Sequence, residues 1–260
     1  MAKKICIIVG HGKSQNGGYD SGAVSKDKKY HEFKIAREIA RYCAEELNAA
    51  GFECDLMNYE GNLYLTERIK KVNANNYDFI AEIHLNAGGG TGAEVFYYHG
   101  SPTGKKYAAA ISKSIASAFN IRDRGAKTKL GKSGKDYFAI IRDTEPCAVL
   151  VETVFIDTAT DLSKVSTAAG QCKCGEAIAQ AIANVNGVKL KDSPAAAESI
   201  KLINSPVYAS STAKTARSNK TGTYYFYDGI EFNGRYRITN KAANCGKKPA
   251  GLYVTGYIEL

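Results

Sequence analysis

Across the first 187 residues, short apolar runs of strand length alternate with longer segments of helical period, and this alternation restricts the chain more than any other feature. Strands are expected at KKICIIVG, ECDLMNY, YDFIAEIHLNA, GAEVFYYH, YFAII and CAVLVETVF. Helices are expected at EFKIAREIARYCAEELNAAG, LTERIKKVNANN, KKYAAAISKSIASAFN and GQCKCGEAIAQAIANVNG. In the first helix Phe33, Ile35, Ile39, Tyr42, Cys43 and Leu47 recur at helical spacing, and Gly51 supplies a C-terminal stop. Strands joined by helices of this length pair mainly in parallel, so the expected fold is α/β, a mixed, mainly parallel sheet with helices on both faces. Ligands of such folds bind at the carboxyl ends of the strands.

The alternation stops at GVKLKDSPAAAESIKL, where Pro194, small residues and mixed charge read as a linker over 188–200. Residues 201–260 then carry short strand-like runs broken by Gly, Asn and Asp, with Asp228-Gly229 and Asn233-Gly234 as turn dipeptides. A small all-β barrel is the expectation there. Residues 191–260 hold ten Lys and Arg against five acids, and nine of the 26 aromatics, including the run Tyr224, Tyr225, Phe226, Tyr227. About half of those rings should fill the barrel core, leaving the others with the cations as a binding surface for sugar, peptide or anionic polymer.

The net charge of +9 calls for an anionic partner or surface. Nucleic acid is disfavoured: Trp is absent, the basic residues are dispersed, and no zinc-finger, RRM or KH pattern occurs. No apolar run reaches membrane-spanning length, and MAKKICIIVGHG is too short for a secretory signal. Synthesis in the cytoplasm without a signal peptide, and no membrane partner, are therefore expected. The seven cysteines are odd in number and scattered in apolar company, as reduced buried thiols would be. Cys172-x-Cys174 lacks a second ligand pair and reads as part of a helix rather than a zinc site.

IIVGHGKS, at 7–14, ends like a phosphate-binding loop, but the required upstream glycine is absent because position 7 is Ile7. The second Gly-Lys-Ser, at 131–133, fails by one residue: the upstream glycine is Gly125 and the motif needs it at Ala126. What remains is His11 between two glycines, just past the first strand. On the strand DFIAEIHLNA, alternation places Ile80, Glu82, His84 and Asn86 on one face and Phe79, Ala81, Ile83 and Leu85 on the other. Such polar groups on a buried sheet need partners. Taken alone, His84 is a hydrogen-bonded core residue as readily as a ligand.

HEF at 31–33 resembles the start of a zincin helix, yet the second histidine of that motif would fall on Ile35, so that mechanism is excluded. Glu32, in the first turn of a helix, joins His11 and His84 as a two-histidine, one-carboxylate set suited to catalytic zinc. Glu32 also reads as a charge on the helix dipole, and His31 is a rival ligand. Glu152, inside PCAVLVETVF, is a carboxylate in an apolar strand: either a general base beside activated water or half of a buried salt bridge, for example with Arg142.

Four segments in order, VGHGKSQNGGYDSGAVS, HEFKIAREIARYCAEEL, EIHLNAGGGTGAEVFYYHG and RDTEPCAVLVETVFID, resemble the zinc-dependent N-acetylmuramoyl-L-alanine amidases, in particular the catalytic domains of clostridial phage endolysins. The resemblance covers roughly residues 4–187. It departs from many members at the first motif, which have Asp-Pro-Gly-His-Gly-Gly where this chain has Ile-Val-Gly-His-Gly-Lys. It implies a catalytic domain over 1–187 with His11, Glu32 and His84 on Zn2+ and Glu152 as acid/base. The implied reaction uses zinc-activated water to cleave the amide between N-acetylmuramic acid and the L-alanine of the stem peptide. Asn86 and Arg142 are candidates for substrate contacts, both expected near strand ends. The tail motifs GTYYFYDG, GRYRITN and VTGYI resemble SH3-like modules, which implies a cell-wall-binding domain over 201–260. The implied partners are peptidoglycan and an anionic wall polymer of a Gram-positive, clostridial host, reached from the cytosol through a holin for host lysis. A zinc peptidase cutting within the stem or crosslink is the alternative.

Overall fold

A computed structural model describes residues 2–190, 198–242, 245 and 254–260. The chain forms two compact units, Met1–Leu190 and Lys191–Leu260. Most of the expected linker, 191–197, lies outside the described residues. At its flanks Leu190 is buried in the core of the first unit, and the first strand of the second unit begins at Ser199.

The first unit carries the predicted α/β fold. Strands β1 (Lys4–Val9), β4 (Glu53–Met57), β5 (Phe79–Asn86), β6 (Ala93–Tyr97), β7 (Asp123–Lys127) and β8 (Cys147–Phe155) make a sheet in the order β4-β1-β5-β8-β6-β7. Every pairing is parallel except β6 with β8. A two-stranded ribbon, β2 (Gly12–Lys13) with β3 (Tyr19–Asp20), follows β1.

Alternation on β5 divides the two faces as expected. Phe79, Ala81, Ile83 and Leu85 join the larger core under α1 (Glu32–Ala49), α3 (Pro102–Phe119) and α6 (Ala168–Val185). Ile80 joins a smaller core of Cys6, Ile8 and Leu150, covered by Val72 of α2 (Leu65–Asn73) and by Ile140 and Ile141 of α4 (Ala139–Arg142). That second layer is short, so the same face is left open at the carboxyl ends of β1, β5 and β8.

Several local expectations change. YFAII folds as α4, not as a strand, because its apolar residues Ile140 and Ile141 lie on the sheet's smaller core instead of pairing with it. Four elements were not foreseen: the ribbon strands β2 and β3, the polar edge strand β7 and α5 (Ala159–Val165). Cys172 and Cys174 lie in α6, as expected, and no disulfide forms among the described residues.

The second unit has an antiparallel sheet ordered β12-β11-β10-β9, formed by β9 (Ser199–Val207), β10 (Ser218–Phe232), β11 (Arg235–Thr239) and β12 (Gly256–Ile258). It curls until Tyr208, just past β9, bridges Tyr257 of β12 through both backbone amides. Leu202, Val207, Phe226, Tyr236, Ile238 and Ile258 fill its core. Asn233-Gly234 forms the two-residue hairpin turn with φ of 51° and 77°, the left-handed pair that such a turn needs. Asp228-Gly229 is not a turn; it lies where β10 bulges against β11, and Asp228 pairs with Arg237. No helix among the described residues is long and apolar enough to cross a membrane.

Candidate functional site

β1 ends at Val9, and the chain turns out of the sheet through Gly10 and His11. His11 has φ of +61°, a left-handed backbone that is strained for a side chain of this size. Asn58 holds it there, its Nδ2 donating to the carbonyls of both Val9 and His11 at 2.8 Å. Gly10 is required for a different reason: a Cβ on it would lie 2.3 Å from the ring of His84.

His11, Glu32 and His84 converge, one donor atom from each lying within 4.8 Å of the others. Glu32 Oε1 is 3.2 Å from His11 Nε2 and 2.8 Å from His84 Nδ1. Backbone amides fix the carboxylate, Leu85 donating to Oε1 and Ala23 to Oε2. Each imidazole is oriented through its other nitrogen, His11 Nδ1 by Asp20 at 2.8 Å and His84 Nε2 by Glu82 at 3.2 Å. Glu82 is held in turn by Arg68 Nε at 3.0 Å, and Arg68 Nη1 also donates to the carbonyls of His11 and Leu63. Carboxylate-oriented imidazoles beside a fixed carboxylate are what a divalent transition metal requires of its surroundings. The donor set therefore fits zinc.

Burial alone would raise the Glu32 pKa and lower those of the histidines. Hydrogen bonds from His11 and His84 instead hold Glu32 well below the carboxylate range, and the same bonds, with Glu82 and Asp20, raise both histidines above theirs. Below those raised values protons occupy the nitrogens a metal needs, and above them the nitrogens are free. Zinc affinity should thus increase with pH, by about ten- to a hundredfold per unit over the histidine range, because one or two protons leave on binding. Titrations at several pH values check this, and a flat profile would remove the histidines from the ligand set.

Glu152 is the Cα partner of His84 across β5 and β8, so both side chains leave the same face. Its pKa is pushed up to about 7, first by burial and then by the charges of Glu32 and Glu94, against the pull of His84. Its buried Oε2 has no hydrogen-bond partner among the described residues. The salt bridge with Arg142 that the sequence allowed does not form: Arg142 pairs with Asp143 at 2.7 Å.

These groups line a cavity of about 500 Å³ whose walls include Lys13, Tyr64, Leu65, Phe138 and Leu150. Asn86 also lines it, but its Nδ2 donates to Glu94 at 2.7 Å and its Oδ1 accepts from the Ala87 amide. Arg142 closes α4 and lines a separate groove with Tyr98 and His99, just past the end of β6. His31, the rival ligand, caps α1 outside the cluster, with Nδ1 buried and unpartnered among the described residues. Asp20 and Arg68 were not anticipated, since nothing local marks a loop aspartate as the partner of His11 or a helical arginine as buried. Glu82 was flagged as needing a partner but had none assigned.

Gly22, with φ of +66°, is the second glycine the site demands, because a Cβ there would stand 2.5 Å from Glu32 Oε2 and 2.6 Å from His11. Gly22→Ala should lower zinc affinity at least tenfold while shifting the thermal midpoint by only a few degrees. Unchanged affinity would show that the carboxylate tolerates displacement.

Residues 5–184 match the family model described as N-acetylmuramoyl-L-alanine amidase. Over 184 residues the chain is 30% identical to the N-acetylmuramoyl-L-alanine amidase LytC of Bacillus subtilis (strain 168), an alignment covering 68% of this chain and 34% of that one. The chain thus spans about a third of that relative. An endolysin of Bacillus phage SPP1 is 26% identical over 276 residues, covering 98% of this chain and 96% of the relative. The solved catalytic domain of the CD27L endolysin targeting Clostridia difficile superposes with a TM-score of 0.58 at 30% identity, covering 73% of this chain and 99% of that domain. The matched span runs from β1 almost to the end of α6 and holds His11, Glu32, His84 and Glu152, so this chain belongs to the N-acetylmuramoyl-L-alanine amidase family.

Proposed function

We propose that this chain is a zinc-dependent peptidoglycan amidase that hydrolyses the bond between the lactyl group of N-acetylmuramic acid and L-alanine, with Glu152 as the general base. The observation that carries the reading is the buried, unpartnered Glu152 Oε2 on the strand next to His84. A carboxylate left without a partner at the floor of a cavity costs stability, and proton transfer gives it a use.

Zinc held by His11 Nε2, His84 Nδ1 and a Glu32 oxygen would supply Lewis-acid polarisation of the amide carbonyl and make water more acidic. Glu152 Oε2 takes the proton of the attacking water, then returns it to the departing L-alanine nitrogen, leaving a lactyl carboxylate and a free amine. Asp20 and Glu82 keep each imidazole in one tautomer and orientation. Glu94, braced by Arg124 and Lys127, holds Asn86 at the cavity wall.

The test is release of the L-alanine amine from purified wall without shortening of the stem peptide, abolished by chelation and restored by zinc. New amines inside the stem or crosslink would instead indicate a peptidase. For the second unit we propose an SH3-like wall-binding role, in which its retention on anionic wall polymer raises the local concentration of the catalytic unit. The likeness along nearly the whole length of a phage endolysin supports host lysis as the setting, and a clostridial wall with holin-mediated release is the specific form we propose.

A further inference from the structure

The second Gly-Lys-Ser motif, at 131–133, has no part in that chemistry, and the structure gives it another context. Residues 129–137 form a finger: Leu130 bridges Asp136, the Tyr137 amide donates to the Lys129 carbonyl at 2.8 Å, and a tight turn closes from Gly131 to Gly134. The finger is braced at its base. Asp136 is buried and accepts from the His99 amide, while Arg142 Nη1 donates to the carbonyls of Asp136 and Tyr137. Arg142 therefore acts on the position of the finger rather than in the catalytic cavity.

What this brace presents is apolar, aromatic and cationic. Of six large hydrophobic side chains exposed among the described residues, Tyr98, Leu130 and Tyr137 gather here. Tyr137 is 55% exposed, and its ring stands edge-on at 5.1 Å to Phe138, which lines the catalytic cavity. Lys129 Nζ lies 4.1 Å from the Tyr137 ring centroid, and Lys132 and Lys135 are exposed beside it. A groove of about 330 Å³ runs along the finger between Tyr98, Leu130 and Arg142. The finger thus adjoins the cavity through the contact of Tyr137 with Phe138, and its three exposed lysines share one sign of charge, while Asp143, exposed at the groove, is paired with Arg142.

We propose that the finger is a glycan-strand subsite: the exposed face of Tyr137 stacks on a pyranose ring, and Lys129, Lys132 and Lys135 pair with carboxylates on neighbouring sugars. This rests on the proposed reaction, which supplies those carboxylates, since each hydrolysed amide leaves a lactyl carboxylate on its muramic residue. A rigid ring suits a sugar face because little conformational freedom is lost on contact. The lysines act at short range, within a screening length of about 8 Å at physiological salt. The enzyme would then hold a strand it has already begun to strip and act again along it.

The test uses the full chain and peptide-free glycan strands bearing free lactyl carboxylates. Tyr137→Ala should weaken binding about tenfold and Tyr137→Phe should restore it, since the ring and not the hydroxyl makes the contact. Replacing Lys129, Lys132 and Lys135 together by alanine should weaken binding at low salt and have little effect at high salt. With intact glycan-linked substrate, Tyr137→Ala should raise KM with kcat within about twofold of wild type, as loss of uniform binding does. Unchanged affinity and KM in Tyr137→Ala would overturn the subsite, as would equal competition by double-stranded DNA, which would reveal an unselective cationic patch. Absence of amine release by the wild-type enzyme would instead overturn the proposed reaction, and the glycan-binding comparison would still be read.

Discussion

Replacing Glu152 by alanine is expected to lower amide hydrolysis by about 10³-fold while the protein keeps the zinc content of the wild type, because Glu152 lies beside the ligand cluster without belonging to it. Glu152→Gln should behave alike, since an amide cannot accept the proton. His84→Ala should lose zinc and activity together. The pH profile gives a second readout. In the unliganded site burial pushes the carboxyl to about 7, and a divalent cation would pull it down, so the acidic limb of kcat should fall below pH 7 in the wild type. Zinc loss in Glu152→Ala would place Glu152 in the metal site, and lysis that survives the change would assign the base to another residue.

Arg68→Met is expected to be the most damaging substitution to stability outside the apolar core. Arg68 and Glu82 are both buried and face one another at 3.0 Å. Removing the cation leaves the Glu82 carboxylate without its compensating charge, which costs about 3–5 kcal/mol. The same change removes the hydrogen bonds to the carbonyls of His11 and Leu63, so the loop carrying His11 should loosen as well. Denaturant unfolding measures the first effect, and zinc affinity the second. The double variant Arg68→Met, Glu82→Met should recover most of the stability, since two apolar side chains need no charge partner, but not the affinity, because His84 loses the group that orients it. A single variant within about 1 kcal/mol of wild type would mean that solvent reaches Glu82.

Much of the architecture was legible because the layers of an α/β fold leave a periodic trace. β5 alternates with period two, α1 repeats its apolar residues every three or four, and Gly51, at φ of +89°, ends that helix as glycine can. YFAII was misread because a run of five apolar and aromatic residues has no period of its own. Its place on the sheet's smaller core, and Arg142 at its end, decide that it is helical. β7 was missed since DRGAK, at the sheet edge, has neither an apolar run nor alternation. Asn86 and Arg142 were chosen for expected proximity to strand ends. Asn86 does reach the cavity, whereas Arg142 lies at the end of α4 with the finger.

By itself the sequence determined the order of the long strands and helices, which face of β5 is polar, and the presence of two histidines and two glutamates where an apolar pattern has no use for them. These follow from periodicity and from the cost of burying unpartnered charge, both of which act locally along the chain. Only the tertiary structure decided which atoms meet. Asp20 lies nine residues from His11, Arg68 lies 14 from Glu82, and Glu152 lies 68 from His84, yet the ribbon after β1, the docking of α2 and the parallel pairing of β5 with β8 bring each pair together. Hydrogen-bond orientation and desolvation depend on distances of a few ångströms in space, and separation along the chain carries no record of them.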